Sequence, residues 1–364
     1  AGFVGGTYGI FTYNYGSQIT NYGTIQGTEA ADPYWETFAV GMLTRQNPEE
    51  DVINRIENHG TISSPGSAIE ADEELVENAS TGYGSSETTV VNTGDIIGDI
   101  KLGELDDTVV NSGYISGHIY MGADDDVYHG EAGSLEFGSR IYLGSGDDEM
   151  EGGAGRERVY DGAGDDKIEL GAGRDYVRVG GGADTYDGGE GKDYISYYDS
   201  SGGIRIDLRD DEISRSWGVN DVISNFESAS GSKTGSDVML GTDGSNTLQG
   251  YSGNDKFYGR GGNDKLVGGD GEDYFDGGAG TDVLYGGDDS DTFHFDFGEG
   301  KDIIKDFENN VDVIELDNFG LSKSQAYALA SNVGSDVVFD FGTDGSLTIA
   351  NATRNQILND FDVV

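Results

Sequence analysis

The chain lacks the features that mark several protein classes. It has no cysteine and only three prolines in 364 residues, so disulfide bonds cannot stabilise its fold. No apolar stretch approaches the roughly 18 residues that a membrane-spanning helix needs. Basic residues are scarce, since 21 Lys and Arg stand against 69 Asp and Glu and give a formal net charge of -48. Such a surface argues against nucleic acid and membrane insertion as functions.

Catalytic signatures are also missing. The sequence contains no H-E-x-x-H, no G-x-S-x-G and no P-loop motif. The histidines His59, His118, His129 and His294 are scattered, which leaves no imidazole or thiolate cluster for zinc or copper. We therefore expect a protein that is not an enzyme, with a glycosidase or lyase site among the many carboxylates as the alternative.

Acidic or amide side chains recur every nine residues in two blocks. The position two residues after each is apolar or aromatic, as with Ile168 after Asp166 and Phe275 after Asp273. This pattern predicts short strands with an inward apolar residue, because side chains alternate faces along a strand. The repeated positions are Asp148, Glu157, Asp166, Asp175, Asp184 and Asp193 in the first block, and Asn246, Asp255, Asp264, Asp273, Asp282 and Asp291 in the second.

Glycines between these positions complete the pattern. Residues 268–275 read G-G-D-G-E-D-Y-F, and residues 277–284 read G-G-A-G-T-D-V-L. Both resemble the G-G-x-G-x-D-x-U-x nonapeptide of RTX proteins, which implies a calcium-binding parallel β-roll. Two nonapeptides then form one coil of about 18 residues with a glycine turn on each side. The glycines would supply positive φ angles and close backbone approach in these turns.

Residues one coil apart should lie above one another at two edges of each roll. Carboxylates stacked about 4.8 Å apart repel each other unless a cation lies between them. Oxygen ligands favour Ca²⁺, so each ion would take carboxylates from two successive turns and glycine carbonyls from the loops. In this scheme Asp291 is a ligand of only one ion, because it lies at the end of its stack. The glycines expected to contribute are Gly162, Gly164, Gly171, Gly173, Gly259, Gly261, Gly268, Gly269, Gly271, Gly277, Gly278 and Gly280.

The charge balance supports the same cofactor. About eight Ca²⁺ ions would cancel about sixteen negative charges and join neighbouring coils. Without the ion we expect disordered rolls, because low hydrophobicity with high net charge cannot offset chain entropy.

A looser repeat precedes the first block. Asn-x-Gly turns lead into strands at Asn14, Asn21, Asn58, Asn92 and Asn111, and these stretches are similar to the β-solenoid passengers of bacterial adhesins and autotransporters. We expect structural asparagine ladders here, interrupted by an irregular insert from about Asp32 to Glu50 that holds Pro33, Trp35 and Pro48.

Two acidic turns lie in this upstream region. Asp107 and Asp126 are 19 residues apart, which indicates a wider coil of that length. Two interpretations of this pair remain: a Ca²⁺ ion bound between the two side chains, or a solvated acidic corner.

The segments after each block continue the repeat pattern less regularly. Ser196 to Leu208 resembles a segment that separates RTX blocks, and it should continue the stack. The region after Phe293 resembles the C-terminal region of RTX exoproteins, including serralysin-type metalloproteases. Within it we predict a helix from Ser322 to Asn332 with Ser322 as N-cap, then strands from Asp336 to Phe341 and Ser346 to Ala350.

The sequence therefore predicts an all-β protein: a parallel β-solenoid that continues into two calcium-binding parallel β-rolls and a small C-terminal cap with one short helix. The segments are 1–135 (solenoid), 136–195 (first roll), 196–240 (inter-roll strands), 241–295 (second roll) and 296–364 (cap and type I secretion signal). We expect a secreted structural protein of a Gram-negative cell surface or matrix: a surface layer, filament or adhesin. The sequence leaves two partners open: a second copy of the chain and a surface glycan. The alternative is the non-catalytic C-terminal module of a larger secreted enzyme that acts on polysaccharide or protein.

Overall fold

The chain folds into two compact units, Ala1–Asp193 and Tyr194–Val364. Short strands that recur along the sequence build each unit, as the nine-residue repeat predicts. The computed structural model describes residues 8–14, 18–27, 38–44, 53–71, 87–209, 213–214, 220–357 and 360–363.

The first unit consists of two parallel sheets and one short additional strand pair. One sheet contains Tyr8–Asn14, Thr24–Gln26, Phe38–Thr44, Thr61–Glu70, Asp95–Gly103, Tyr114–Ser116, Ile119–Ala123, Ser134–Leu135, Ile141–Ser145, Arg158–Ala163 and Tyr176–Arg178. The other contains Gln18–Asn21, Asn54–Asn58, Thr88–Asn92, Thr108–Asn111, Val127–His129, Glu149–Glu151, Lys167–Glu169 and Thr185–Asp187. The short pair is Ala172–Gly173 with Glu190–Gly191.

The second unit repeats this arrangement with an antiparallel end. One group of strands is Tyr194–Ser196, Ser228–Ser230, Thr247–Ser252, Gly261–Gly262, Lys265–Asp270, Ala279–Gly280, Val283–Asp288, Gly300–Ile304, Gly345–Ile349, Asp336–Asp340 and Ala330–Val333. The other is Arg205–Asp207, Ile213–Ser214, Asn220–Ser224, Val238–Leu240, Lys256–Tyr258, Tyr274–Asp276, Thr292–Asp296, Val313–Asp317 and Phe361–Val363.

Strand register confirms the 18-residue coil. Phe257 pairs with Phe275, and Phe275 pairs with Phe293, so each coil repeats the same inward position. The three rings are buried and stack with centroids 5.0 and 5.1 Å apart. This apolar column forms the core, because burial of each large aromatic side chain contributes about 1.5–3 kcal/mol.

Coil length is less regular in the first unit. Val90 pairs with Val109 across 19 residues, which confirms the wider coil around Asp107. Ile119 pairs with Ile141 across 22 residues, because an additional loop with Phe137 at its surface lies between them. Earlier coils contain 37 and 34 residues, measured between successive ladder asparagines.

The expected asparagine ladder is present and structural. Asn21 Nδ2 donates to Asn58 Oδ1 at 2.8 Å, and Asn58 Nδ2 donates to Asn92 Oδ1 at 2.8 Å. Asn92 continues the series to Asn111 at 2.9 Å. Each of the first three buried amides donates to the next, so the ladder stabilises the stack. The turn after Asn14 lies outside the described residues.

The prediction of an irregular insert between Asp32 and Glu50 is wrong for part of its length. Phe38–Thr44 is a strand that pairs in parallel with Tyr8–Asn14. Its sequence, F-A-V-G-M-L-T, has few polar residues, which favours a strand when a neighbouring strand is available for pairing. Pro33, Trp35 and Pro48 lie outside the described residues.

The stretch between the two blocks continues the stack of the second unit. Arg205–Asp207 pairs in parallel with Val238–Leu240, as expected for the segment from Ser196 to Leu208. Ile213–Ser214 joins this group in antiparallel orientation. The five segment boundaries drawn from the sequence stay predictions.

The single α-helix of the described residues is Lys323–Leu329, and Ser322 is its N-cap, as predicted. A short 3-10 helix, Gly342–Asp344, follows later in the chain. Ser322 and Gln325 form a reciprocal capping box. The helix ends earlier than the predicted Asn332 because Ala330–Val333 pairs as an antiparallel strand with Asp336–Asp340. Gly345–Ile349 follows as the second closing strand. The helix is too short to cross a membrane.

Candidate metal centre

The repeated acidic residues lie where the short strands begin, and they are buried. Asp255 immediately precedes the strand Lys256–Tyr258, and Asp273 immediately precedes Tyr274–Asp276. They are only 1% and 2% exposed. A buried charge is costly unless it is paired, so each carboxylate requires a partner or a proton.

One carboxylate oxygen in each coil accepts a hydrogen bond from the previous coil. Asp255 N–H donates to Asp273 Oδ1 at 2.8 Å, and Asp273 N–H donates to Asp291 Oδ1 at 3.0 Å. The series continues in both directions, with Asp237 N–H bonded to Asp255 at 2.7 Å and Asp291 N–H to Asp312 at 3.1 Å. The expectation that Asp291 ends its stack is therefore wrong, because Asp312 occupies the next coil after a longer loop.

The opposite edge of the second unit has the same geometry. Asn246 N–H donates to Asp264 Oδ1 at 2.8 Å, and Asp264 N–H donates to Asp282 Oδ1 at 2.7 Å. Asp282 N–H then donates to Asp302 Oδ1 at 3.0 Å. The predicted Asn246–Asp264–Asp282 edge is thus assembled, and it continues one coil further.

A fixed cation lies where this edge begins. The Arg260 guanidinium donates to both carboxylate oxygens of Asp207 at 2.5 and 2.6 Å, and to Gly241 O at 2.7 Å. Gly241 is the first glycine of the repeat that carries Asn246. The Arg260–Asp207 ion pair therefore holds the first glycine of the one repeat that has an amide in place of a carboxylate.

The first unit contains a longer column along one edge. Each N–H donates to the next carboxylate, at distances of 2.7 to 2.9 Å for the pairs Asp107–Asp126, Asp126–Asp148, Asp148–Asp166 and Asp166–Asp184. On the other edge, Glu157 N–H donates to Asp175 at 2.9 Å, and Asp175 N–H to Asp193 at 2.7 Å. Asp107 and Asp126 are thus part of the buried column, not a solvated corner.

The second carboxylate oxygen is the unusual feature. For most members of these columns it is buried and accepts no hydrogen bond in the structure. This holds for Oδ2 of Asp107, Asp126, Asp148, Asp166, Asp175, Asp255, Asp264, Asp273, Asp282 and Asp291, and for Oε2 of Glu157. The exceptions lie at the column ends, where Oδ2 of Asp184, Asp237 and Asp312 accepts from Tyr186 Oη, Ser232 N–H and Glu308 N–H, respectively. Buried polar atoms nearly always have partners, so a column of oxygens without one fits a cation as their ligand.

Glycine is required beside these oxygens for two different reasons. A Cβ at Gly268 would overlap Asp273 Oδ2, although the Gly268 backbone is not in the left-handed region. Gly269 has φ of +129°, which disfavours other residues. The first glycine of the repeat thus leaves room at the carboxylate, and the second shapes the turn.

Burial raises the pKa of the column carboxyls. Desolvation is the largest cause throughout, and hydrogen bonds from backbone N–H groups oppose it. It raises the pKa of Asp273 to about 8, of Asp264 to about 7 and of Asp107 to about 9. Without a cation, burial favours the protonated form of these groups, whereas a divalent cation would favour the ionised form.

The residues fit a hard cation bound with backbone help. Among the described residues, no three Asp, Glu or His side chains converge on a point where they alone could hold a metal. The carboxylates are arranged singly, one per coil, so further oxygen ligands must come from the turns. Carboxylates with main-chain carbonyls form the donor set that Ca²⁺ prefers.

Sequence reasoning missed several buried carboxylates, of which three continue the columns and a fourth, Asp161, lies beside one. Asp237 lies one 18-residue coil before Asp255, so spacing alone could have identified it. Asp302 and Asp312 are displaced from the nine-residue spacing by longer loops. Asp161 occupies an inward strand position, where it contacts the Tyr186 hydroxyl, and no feature of the repeat indicates it.

Comparison with known proteins agrees with this geometry. Residues 139–156, 160–195, 233–266, 258–293 and 267–304 match the family described as RTX calcium-binding nonapeptide repeat (4 copies). Among solved structures, the chain is similar to the extracellular lipase LipA from Serratia marcescens, with a TM-score of 0.33 and 20% identity. That match covers 60% of this chain and 40% of the lipase chain. No curated protein sequence matches the chain.

The matched segments contain the acidic residues of both blocks, except Glu157, and glycine turns between them. The buried oxygen columns described above follow the same period. The chain therefore carries RTX calcium-binding nonapeptide repeats, in an all-β stack of parallel strands.

Proposed function

We propose that the protein is a secreted structural component of a bacterial cell surface or extracellular matrix, which folds when it binds Ca²⁺ outside the cell. RTX repeats bind calcium and are typical of proteins that Gram-negative bacteria secrete. The proposal is supported above all by the buried, unsatisfied oxygens that recur once per coil in both units. In a surface layer, filament or adhesin, these coils would form the structural framework.

About eight ions would bind, each between carboxylates of successive coils. The Asp and Glu residues of the two predicted blocks, with Asp107 and Asp126, would supply side-chain oxygens. The twelve glycines named from the sequence would supply carbonyl oxygens or shape the turns. Asp302 extends the set, because it continues the same hydrogen-bonded column. Asp237 and Asp312 close their column, because Ser232 N–H and Glu308 N–H donate to their second oxygens.

The difference in calcium concentration between the cytosol and the cell exterior would determine where the chain folds. Exposed extracellular modules commonly bind Ca²⁺ at about 0.1–1 mM, and cytosolic calcium is far lower. The chain would stay unfolded before export and fold on emergence, since ion binding and folding are coupled.

Electron microscopy of the purified chain with and without Ca²⁺ tests this function. We expect monomers near the calcium concentration at which the chain folds, and ordered multimers, filaments or layers at several millimolar Ca²⁺. A particle that stays monomeric at high protein and calcium concentrations would contradict the structural role. It would favour the alternative of a non-catalytic module in a larger secreted enzyme.

A further inference from the structure

A strip of aromatic and basic side chains runs along the outer face of one sheet in the first unit. It lies on consecutive coils, where Tyr120 pairs in register with Lys101 and with Tyr142, and Tyr160 pairs with Tyr142 and Arg178. All its members are partly exposed. We call this strip the tyrosine–arginine face: Lys101, His118, Tyr120, Arg140, Tyr142, Arg158, Tyr160, Tyr176 and Arg178.

The tyrosine rings use their faces for contact with one another. Tyr120 and Tyr142 stack with centroids 4.9 Å apart and planes 1° apart, and Tyr142 and Tyr160 stack at 4.8 Å. Stacked ring faces are not open to a sugar or to another flat ligand. The ladder therefore presents ring edges and hydroxyl groups to its surroundings, repeated at the pitch of the coils.

Basic groups are interleaved with this ladder. The Arg140 guanidinium lies 5.5 Å from the centroid of Tyr160, and Arg158 lies 4.9 Å from that of Tyr176. Arg140 Nη1 also donates to Tyr142 Oη at 3.1 Å. Four of the 21 Lys and Arg residues of a strongly acidic chain lie on this one face. The partner of such a face should carry carboxylates at a similar spacing.

The same unit carries a matching series of carboxylates at a turn. Asp125 N–H donates to Asp106 at 3.1 Å, Asp147 N–H to Asp125 at 2.8 Å and Asp165 N–H to Asp147 at 2.8 Å. Each of these four residues is exposed and directly precedes a buried column carboxylate. We call this series the acidic turn column: Asp106, Asp125, Asp147 and Asp165.

We infer that the tyrosine–arginine face binds the acidic turn column of a second copy of the chain. Both are repeated once per coil, so several guanidinium and hydroxyl donors meet several carboxylates in register. The contact joins two different surfaces, and a heterologous contact of this kind propagates into open arrays unless it closes a ring. The inference rests on the proposed structural function and gives it a lateral contact.

Charge reversal on the face tests the inference. In Arg140→Glu/Arg158→Glu, sedimentation velocity at several millimolar Ca²⁺ should show association weakened by about tenfold or more, since opposed like charges repel. Lys256→Glu/Lys305→Glu is the matched control, because it changes net charge equally at exposed lysines outside the face. The control should associate like wild type, and circular dichroism should give the same calcium midpoint for all three proteins.

Disulfide trapping locates the contact directly, because the chain has no native cysteine. Mixed Arg140→Cys and Asp147→Cys proteins should form a cross-linked dimer under mild oxidation at assembling calcium concentrations. Arg140→Cys mixed with Lys167→Cys is the control and should give far less. Equal cross-linking in both mixtures would overturn the inference.

The results of these experiments distinguish the lateral contact from the proposed structural function. Normal assembly of the charge-reversed, folded protein would overturn the lateral contact and leave the structural role intact. If the charge-reversed protein lost binding to polygalacturonate but self-associated normally, the face would be assigned to an anionic glycan. That result would also overturn the inference. A wild-type protein that never assembles would defeat both proposals.

Discussion

Asp255 N–H donates to Asp273 Oδ1 at 2.8 Å, while Asp273 Oδ2 is buried beside Gly268 without a hydrogen bond. The first oxygen is thus part of the backbone network of the stack, and the second is reserved for another ligand. The same division recurs on successive coils. It gives each acidic residue one structural role and one proposed role in binding calcium.

Asp273→Asn separates these roles. The amide oxygen keeps the acceptor for Asp255 N–H, whereas the charge and the second ligand oxygen are lost. We expect the calcium concentration at half-folding to rise by about tenfold, because a charged interaction of this kind is worth about 1.5–3 kcal/mol. Asp270→Asn, an exposed change on the same coil, should leave the midpoint within about twofold in a calcium titration followed by circular dichroism. Equal midpoints for the two variants would contradict the assignment.

Gly268→Ala tests the space beside the carboxylate. The added methyl group would overlap Asp273 Oδ2 and lie 2.6 Å from the Gly286 carbonyl oxygen of the next coil, without straining φ. It should therefore displace the carboxylate and the turn beside it, and raise the calcium midpoint. Gly244→Ala is the control, because its Cβ would meet only Thr242 Oγ1 at an ordinary 3.6 Å. Isothermal titration calorimetry should show weaker binding for the first variant alone, and indistinguishable titrations would refute the steric argument.

The raised pKa values predict an unusual pH response. Burial raises the pKa of Asp273 to about 8 and of Asp264 to about 7, whereas unfolded Asp titrates near 3.9. The metal-free fold therefore binds more protons than the unfolded chain between these values, and it loses stability as pH rises through them.

In chelator we expect β structure to increase as pH falls from about 8 to about 5. With calcium present, the midpoint should rise over the same interval, because protons compete with Ca²⁺ for the carboxylates. Circular dichroism across this range checks both trends. A chelated protein whose β content does not depend on pH would contradict them.

Ser322→Ala should weaken the C-terminal region without affecting calcium binding. The substitution removes the capping box of the helix Lys323–Leu329, which costs about 0.5–2 kcal/mol. A thermal melt at saturating Ca²⁺ should show the loss, and the calcium midpoint should stay unchanged. Ser331→Ala, at an exposed strand position, serves as control.

The sequence predicts most of the stack because its period is strict. The nine-residue spacing places Asp255, Asp264 and Asp273 on the correct edges, and the apolar positions identify the core, including Phe275. Local signals also identify the Ser322 cap, because capping depends on only a few adjacent residues.

The remaining features depend on loop length and on contacts distant in sequence. Asp302 and Asp312 join the columns only because longer loops restore the register, which spacing alone cannot show. The strand Phe38–Thr44 depends on its partner Tyr8–Asn14. The contact between Arg260 and Asp207 spans 53 residues, and no local pattern indicates it.

Far-UV circular dichroism of the full chain at neutral pH and low salt, in chelator and then with added Ca²⁺, tests the central claim most directly. The account predicts a coil spectrum in chelator that converts cooperatively to β structure as calcium reaches the millimolar range, and magnesium at equal concentration should not replace it. A β spectrum that is the same in chelator and in calcium would contradict calcium-driven folding.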